Sequence, residues 1–239
     1  MKETITIAVP TLDGRPELDF TTSVTQAMLT SKYTSPRIRY GVGDSLVERA
    51  RQNLLRDWYY DTTDRIIVWL DSDIGFHGQQ NFLDLMYEDL RLADVDFVGG
   101  LYACKGPQTQ CSSVIESPRV THESNKYMVA MRWLSTGCWA ITRDSVTQMI
   151  ETFPELEYET DIHRKLAHAL FLPMLYEVRD NPDDVWQKLL SEDWAFCERW
   201  KRANPGKKIW ADTRIITVHW GKYPFRLPTS DSEPKPSCE

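Results

Sequence analysis

The chain is poor in the features that define several large protein classes. It carries five cysteines in 239 residues, and Cys104, Cys111, Cys138, Cys197 and Cys238 are widely spaced. No Cys-x-x-Cys pair or Cys/His cluster suggests zinc, and no regular framework suggests a disulfide-stapled secreted domain. Reduced thiols in a cytoplasmic setting are the expectation. No run approaches the ~20 apolar residues of a membrane span, and the apolar stretch at 5–10 is too short for a signal peptide. A basic face is missing as well. With a net charge of −7, broad nucleic-acid binding is not expected, although a local site or a metal ion can reverse the field for a small anion. No internal repeat is present.

What remains is an ordinary globular mix of 41% hydrophobic and 26% charged residues, consistent with a folded enzyme-sized domain. A chain of 27.8 kDa should reduce its accessible surface from about 40,000 to about 11,000 Å² on folding, so it needs neither disulfides nor a structural metal. Nine Trp and ten Tyr are expected mainly in the core.

The pattern predicts a strand over 4–9 stopped by Pro10, a loop over 11–16, a helix over 17–31 and a second strand over 37–42. Asp44 and Ser45 precede a helix to about Trp58, where Ser45 and Glu48 match a capping box. A strongly apolar strand over 65–70 runs into Asp71-Ser72-Asp73, followed by a helix over 81–92 and a strand over 95–98. This alternation implies a mostly parallel sheet covered on both faces, with ligands bound outside the carboxyl ends of its strands. Beyond residue 100 the pattern predicts a hairpin pair at 112–115 and 127–133, a strand at 138–141 and a helix over 143–152. Ser191 is expected to cap a helix to about Ala203, before one or two closing strands over 208–218. The segment 153–190 is irregular with one helix expected around 163–170, and the tail from 229 reads as disordered or a linker.

Asp71 and Asp73 are one residue apart at a strand end, so the period-2 alternation puts both on one side. Two such oxygens suit a hard cation, Mn²⁺ or Mg²⁺, whose shell phosphate oxygens and water complete. His219, after the apolar run 215–218, would add an imidazole that favours Mn²⁺ if the fold brings it to Asp73. Glu192, Asp193 and Trp194 open a helix, where the dipole favours acidic residues and keeps Asp193 ionised, as a base must be. Arg49 and Asn53 share a helix face that could reach a diphosphate, whereas Arg51 reads as an exposed polar residue.

Together these pieces resemble the GT-A glycosyltransferases, particularly small bacterial and viral members. The matching stretches are Ile7-Ala8-Val9-Pro10-Thr11 with Asp13-Gly14-Arg15, Arg49-Ala50-Arg51, Trp69-Leu70-Asp71-Ser72-Asp73 and Phe97-Val98-Gly99-Gly100. They continue with Ser135-Thr136-Gly137-Cys138, Ser191 to Phe196 and Val218-His219-Trp220-Gly221, in an order spanning nearly the whole chain. The resemblance implies an α/β fold, a single mostly parallel twisted sheet flanked by helices with a small antiparallel element. It implies one catalytic domain over 1–228, with a nucleotide-binding half to about 100 and an acceptor-binding half beyond. Thr11, Asp13, Arg15, Arg49, Asn53, Asp71, Ser72 and Lys222 would contact the donor, and Gly137, Trp139 and Trp194 the sugar or acceptor. Asp71, Asp73 and His219 would hold the cation, and Asp193, with Glu192 beside it, would act on the acceptor hydroxyl. The partners implied are a nucleoside diphosphate sugar, UDP first, and a glycan or small saccharide. Gln52 departs from the pattern, since many relatives place Asn after Arg-Ala-Arg. The alternatives are a sugar-phosphate nucleotidyltransferase, whose Gly-rich basic loop is reduced here to Gly14 and Arg15, and a non-catalytic nucleotide-sugar-binding domain. A phosphohydrolase with a strand-end Asp would usually place Thr where Gly75 stands.

Overall fold

The computed structural model describes residues 2–106, 110–160, 164–181, 184–221 and 224–227. The first part alternates strand and helix: β1 (Glu3–Thr11), α1 (Leu18–Thr30), β2 (Thr34–Val42), α2 (Val47–Asp61), β3 (Ile66–Leu70), β4 (Ile74–Phe76), α3 (Phe82–Asp89) and β5 (Phe97–Gly99). The middle is mostly β, with β6 (Val114–Ile115), β7 (Thr121–His122), β8 (Asn125–Trp133) and β9 (Cys138–Thr142), closed by α4 (Arg143–Thr152). Two small antiparallel pairs follow, β10 (Glu157–Glu159) with β11 (Leu166–His168) and β12 (Met174–Asn181) with β13 (Asp184–Leu190). Last come α5 (Glu192–Ala203), β14 (Ile209–Asp212), β15 (Thr217–Trp220) and β16 (Pro224–Phe225).

The main sheet runs β2-β1-β3-β9-β5-β14-β8-β6, with β7 paired to β8. β1 pairs in parallel with both β2 and β3, and β14 with β5. β9 is inserted antiparallel between β3 and β5, and β8 runs against β14 and β6. The carboxyl ends of β1, β3 and β5 therefore share one edge of the sheet with the amino end of β9. A second sheet, β16-β15-β4, is antiparallel and stands beside that edge. The architecture is thus the α/β sheet that the alternation and the resemblance implied.

Each strand supplies two cores because its side chains alternate faces. On β3, Ile66, Val68 and Leu70 join Phe20, Val24, Phe82 and Met86 of α1 and α3. Ile67 and Trp69 point the other way, to Leu54 and Trp58 of α2, Met149 of α4 and Phe196 and Trp200 of α5. Trp139, Phe97, Phe171 and Phe196 stack in that second layer with ring centroids 4.5–6.3 Å apart. Rings at these spacings add to simple burial.

Several local expectations are corrected. Pro10 does not stop β1, which continues to Thr11 opposite Val42. Pairing with β3 covers only Thr6–Ala8 of β1, so the absent proline N–H removes no bond on that side. The Ser45/Glu48 capping box is not formed: α2 begins after Leu46, and Asp44 instead accepts from the Leu46 amide at 3.0 Å. Ser191 precedes α5 but makes no side-chain cap, because its hydroxyl donates to Asp193. The helix expected over 81–92 is shorter, Phe82–Asp89, and Asn81 stands before it as its cap, accepting from the Leu83 and Asp84 amides. The helix expected at 163–170 is absent: His163 lies outside the described residues, and Leu166–His168 is β11. The following stretch has period-2 character, Leu175 being exposed and Tyr176 half-buried, as a hairpin packed on one face requires. The tail expected at 229–239 lies outside the described residues, and no helix described is long and apolar enough to cross a membrane.

Candidate functional site

Three loops converge where β1 and β3 end. Asp71 is tied back to the start of β9, its amide donating to the Gly137 carbonyl at 3.0 Å. The chain then turns, the Ile74 amide donating to the Asp71 carbonyl at 3.1 Å, and Glu17 N–H ties the start of α1 to the Ser72 carbonyl at 2.8 Å. Gly75 follows because nothing larger fits: a Cβ there would lie 1.9 Å from Asp19 Oδ2. Asp19 Oδ2 also accepts from Trp220 Nε1 at 2.6 Å and meets His77 Nε2 at 2.7 Å, so this helix carboxylate holds β4 and β15 against the turn.

The turn alters the geometry read from alternation. Strand conformation ends at Leu70, so Asp71 and Asp73 are not in the extended register that would aim them together. Asp71 Oδ1 accepts from Arg51 Nη2 at 2.9 Å, and Arg51 Nε lies 3.7 Å from Glu192 of α5. Arg51, the residue expected to be exposed, is 4% exposed. Burial works against its charge, but Asp71 and then Glu192 outweigh that and raise its pKa. Two of its nitrogens, Nε and Nη1, have no hydrogen-bond acceptor.

Asp73 faces a different set. Its Oδ2 contacts the Lys105 ammonium, and its Oδ1 lies 3.5 Å from His219 Nε2, too far for a hydrogen bond. Oδ1 is buried and has no hydrogen-bond donor. Burial alone would raise the Asp73 carboxyl, but His219 and then Lys105 hold it below the usual carboxylate range. His219 Nδ1 is 2.7 Å from the Ala103 carbonyl, which can only accept, so Nδ1 carries a proton and Nε2 presents its lone pair to Asp73 when the ring is neutral. β15 places the ring there by pairing His219 with Ile74 of β4.

These carboxylates share a cleft of about 230 Å³ with Thr11, Ser72, Arg51, Asp44 and Ser45. A larger hollow of about 720 Å³ lies at the opposite end of β1 and β3, lined by Arg37, Arg39 and Arg65. The smaller one is at the strand carboxyl ends, where ligands of such sheets bind. The first turn of α5 approaches through Glu192, 3.7 Å from Arg51. Burial, then Asp71 and Asp193, push the Tyr102 phenol well above its ordinary value, which places both carboxylates within electrostatic reach of one ring. Burial and the neighbouring Asp193 also raise the Glu192 carboxyl against the pull of Arg51. Asp193 Oδ1 accepts from the Ser191 hydroxyl and from the Trp194 amide at 2.8 Å. Trp194 is half-buried and stacks on Trp133 with centroids 4.6 Å apart, with Lys188 Nζ 4.6 Å from its ring.

The structure thus brings Thr11, Asp71, Ser72 and Asp73 to one cleft and His219 to Asp73. Other expected residues stand apart. Asp13 accepts from the Arg15 amide at 3.0 Å and shapes the loop at Gly14, whose φ is +70°, while the Arg15 side chain is exposed. Arg49 is bound to Asp44 at 2.7 Å, and Asn53 is exposed on the outer face of α2. Gln52, the departure from the family pattern, is buried and accepts from Tyr158 at 3.0 Å. Trp139 is 1% exposed among core rings and offers no face to a ligand. Gly137 is a close-packed junction, where a Cβ would lie 2.4 Å from Ile74 Cδ1. Lys222 lies outside the described residues. Asp71 is engaged with Arg51, and among the described residues no group of three His, Cys, Asp or Glu side chains converges as a complete metal site.

Neither a comparison with family models nor a search of curated proteins finds a match. Among solved structures, the fold is similar to that of a protein named A197 from STIV, at 14% identity and a TM-score of 0.54 over 98% of each chain. Also similar are a glycosyltransferase involved in the glycosylation of the major capsid of PBCV-1 (12% identity, TM-score 0.35, 63% of this chain and 66% of that one) and an apo-UDP-glucose pyrophosphorylase (10% identity, TM-score 0.41, 88% and 73%). At such identities the likeness is one of fold.

Proposed function

We propose that the chain is a glycosyltransferase that moves a sugar from a nucleoside diphosphate sugar, UDP first, to a saccharide hydroxyl with the help of Mn²⁺ or Mg²⁺. The observation that carries this reading is the pair formed by Asp73 Oδ1 and His219 Nε2. A buried carboxylate oxygen without a donor lies 3.5 Å from an imidazole nitrogen that, in the neutral ring, turns its lone pair toward it, and a cation between the two would satisfy both. The Ala103 carbonyl behind Nδ1 fixes the ring, as carbonyls behind metal-bound histidines do. Asp73 and His219 would hold the ion, and diphosphate and water oxygens would have to supply the rest of its ligands, which suits Mn²⁺ or Mg²⁺. When bound, such an ion stabilises the charge that develops on a departing diphosphate.

The chain's own groups have the remaining tasks. Thr11 and Ser72 supply hydroxyls at the cleft wall for the nucleoside. Arg51 holds Asp71 in place and links it to α5. Asp193, oriented by Ser191 and its own helix N-terminus, takes the proton of the acceptor hydroxyl. Trp194, with Trp133 beneath it, gives the acceptor an aromatic face.

Two measurements test this. Asp73→Ala abolishes Mn²⁺-dependent binding of UDP in calorimetry; unchanged binding removes the cation from Asp73. Asp193→Asn keeps UDP binding but lowers transfer by ~10² to 10⁴-fold, and full activity would take Asp193 out of the reaction. A screen of nucleoside diphosphates by thermal shift identifies the base, since a hundredfold excess over Kd adds about 2.7 kcal/mol.

A further inference from the structure

We infer that Lys105 is a resident counterion of Asp73 that leaves its carboxylate for a diphosphate oxygen when a divalent cation and nucleotide arrive together. The inference rests on the cation reading above and adds to it a residue that neither sequence pattern nor resemblance singled out.

The contact is built to be exchangeable. The Lys105 ammonium meets Asp73 Oδ2 with both side chains about one-third exposed, at 38% and 30%, so the pair sits at the mouth of the cleft and not in the core. The lysine stem runs alongside Gly221, and its head is held by the Asp73 contact. A Cβ at Gly221 would lie 3.2 Å from Lys105 Cδ and 3.7 Å from Cε, so the stem lies against a glycine that leaves room for it. The backbone beneath is fixed, with Cys104 N–H donating to the Gln110 carbonyl at 2.7 Å and Ala103 bridging to Cys111. Ala103 also accepts from His219 Nδ1. One short segment therefore sets the proton position of the imidazole and delivers the ammonium.

Charge then dictates the order of events. With Lys105 on Oδ2, a dication at Oδ1 and His219 Nε2 would share one carboxylate with a second cation a few ångströms away. Like charges at that separation repel strongly in a partly dry cleft. Metal alone should bind weakly. A diphosphate changes the balance, because its oxygens bind the metal and also receive the ammonium, so both cations gain a partner. Metal and nucleotide are then mutually dependent, and that coupling is reciprocal.

The test compares the wild-type chain with Lys105→Met, which keeps the stem, and Lys105→Ala, which removes it. Free Mn²⁺ is followed by electron paramagnetic resonance, with Mn²⁺ alone and with saturating UDP. Both variants are expected to bind Mn²⁺ alone about tenfold more tightly, since one repelling charge is gone. They are also expected to bind UDP in the presence of Mn²⁺ at least severalfold more weakly. Affinities for Mn²⁺ alone that are equal to or weaker than wild type, in chains that still bind Mn²⁺ with UDP, overturn the role of Lys105 and leave the proposed function standing. A wild-type chain that binds no Mn²⁺ with or without UDP overturns both.

Discussion

Two acidic pairs in this chain have opposite settlements. At the turn after β3, Asp71 and Asp73 keep side-chain exposures of 24% and 30%, and each has its own basic partner, Arg51 and Lys105. At the junction of α3 and β14, Asp89 and Asp212 are 2% and 0% exposed and share Arg214, 2.5 Å from Asp212 and 3.6 Å from Asp89. Burial first, and then Asp212, push the Asp89 carboxyl up to about 8, so this pair holds a proton at neutral pH. Each pair has one buried oxygen without a donor, Asp73 Oδ1 and Asp89 Oδ2; a proton shared between Asp89 and Asp212 serves the second pair, whereas the first faces His219. Acidic pairs are common, and the partner set separates a binding site from a staple.

The contrast can be broken from either side. The largest expected effect is that of Arg51→Met, which leaves Asp71 and Glu192 without their shared cation. Losing one partner of a buried ion pair costs about 3–5 kcal/mol. The carboxylates keep some solvent contact, so urea denaturation should show a loss near about 3 kcal/mol, and a loss under about 1 kcal/mol would mean the link is structurally idle. Gly75→Ala comes next. Its Cβ would collide with Asp19, and overpacking of this kind costs about 1–3 kcal/mol. A melting temperature equal to wild type would show that α1 can yield to the turn.

Asp89→Asn is the smallest change and sharpens the other half of the comparison. Between the ordinary aspartate value and about pH 8, folded Asp89 keeps a proton that the unfolded chain releases. Wild-type stability should therefore fall as pH rises through that window. The Asn variant removes this slope and should be the more stable chain above pH 8 by about 1 kcal/mol. Parallel pH profiles for the two chains would show that Asp89 titrates as an ordinary surface acid.

Much of the scaffold was legible because it rests on local signals. The apolar strand 65–70 and the helix 143–152 appear almost where the pattern puts them. Arg51 was also legible in principle. It falls among Ala50, Leu54, Leu55 and Trp58, at the spacing of the buried stripe of α2, and an arginine inside such a stripe has a carboxylate to meet. Lys105 had no such signal, because a loop lysine has no periodicity and its partner is 32 residues away. Trp139 misled for the opposite reason. Alternation along β9 assigns it to the second core, paired opposite Trp69, and no motif shows which face of a strand a ligand sees. The segment 153–190 depends on long-range hairpin packing, which sequence-local reasoning cannot supply.

The position of Arg51 also bears on how such a protein can be recombined. A single guanidinium on α2 reaches the end of β3 on one side and the first turn of α5 on the other. Arg51 is thus one of several charged links between the front and rear of the chain, beside Lys105–Asp73, Lys207–Asp96 and Arg214–Asp89. A chimera that exchanges residues 101–221 for those of a related protein keeps this particular link only when the donor brings an acid at position 192.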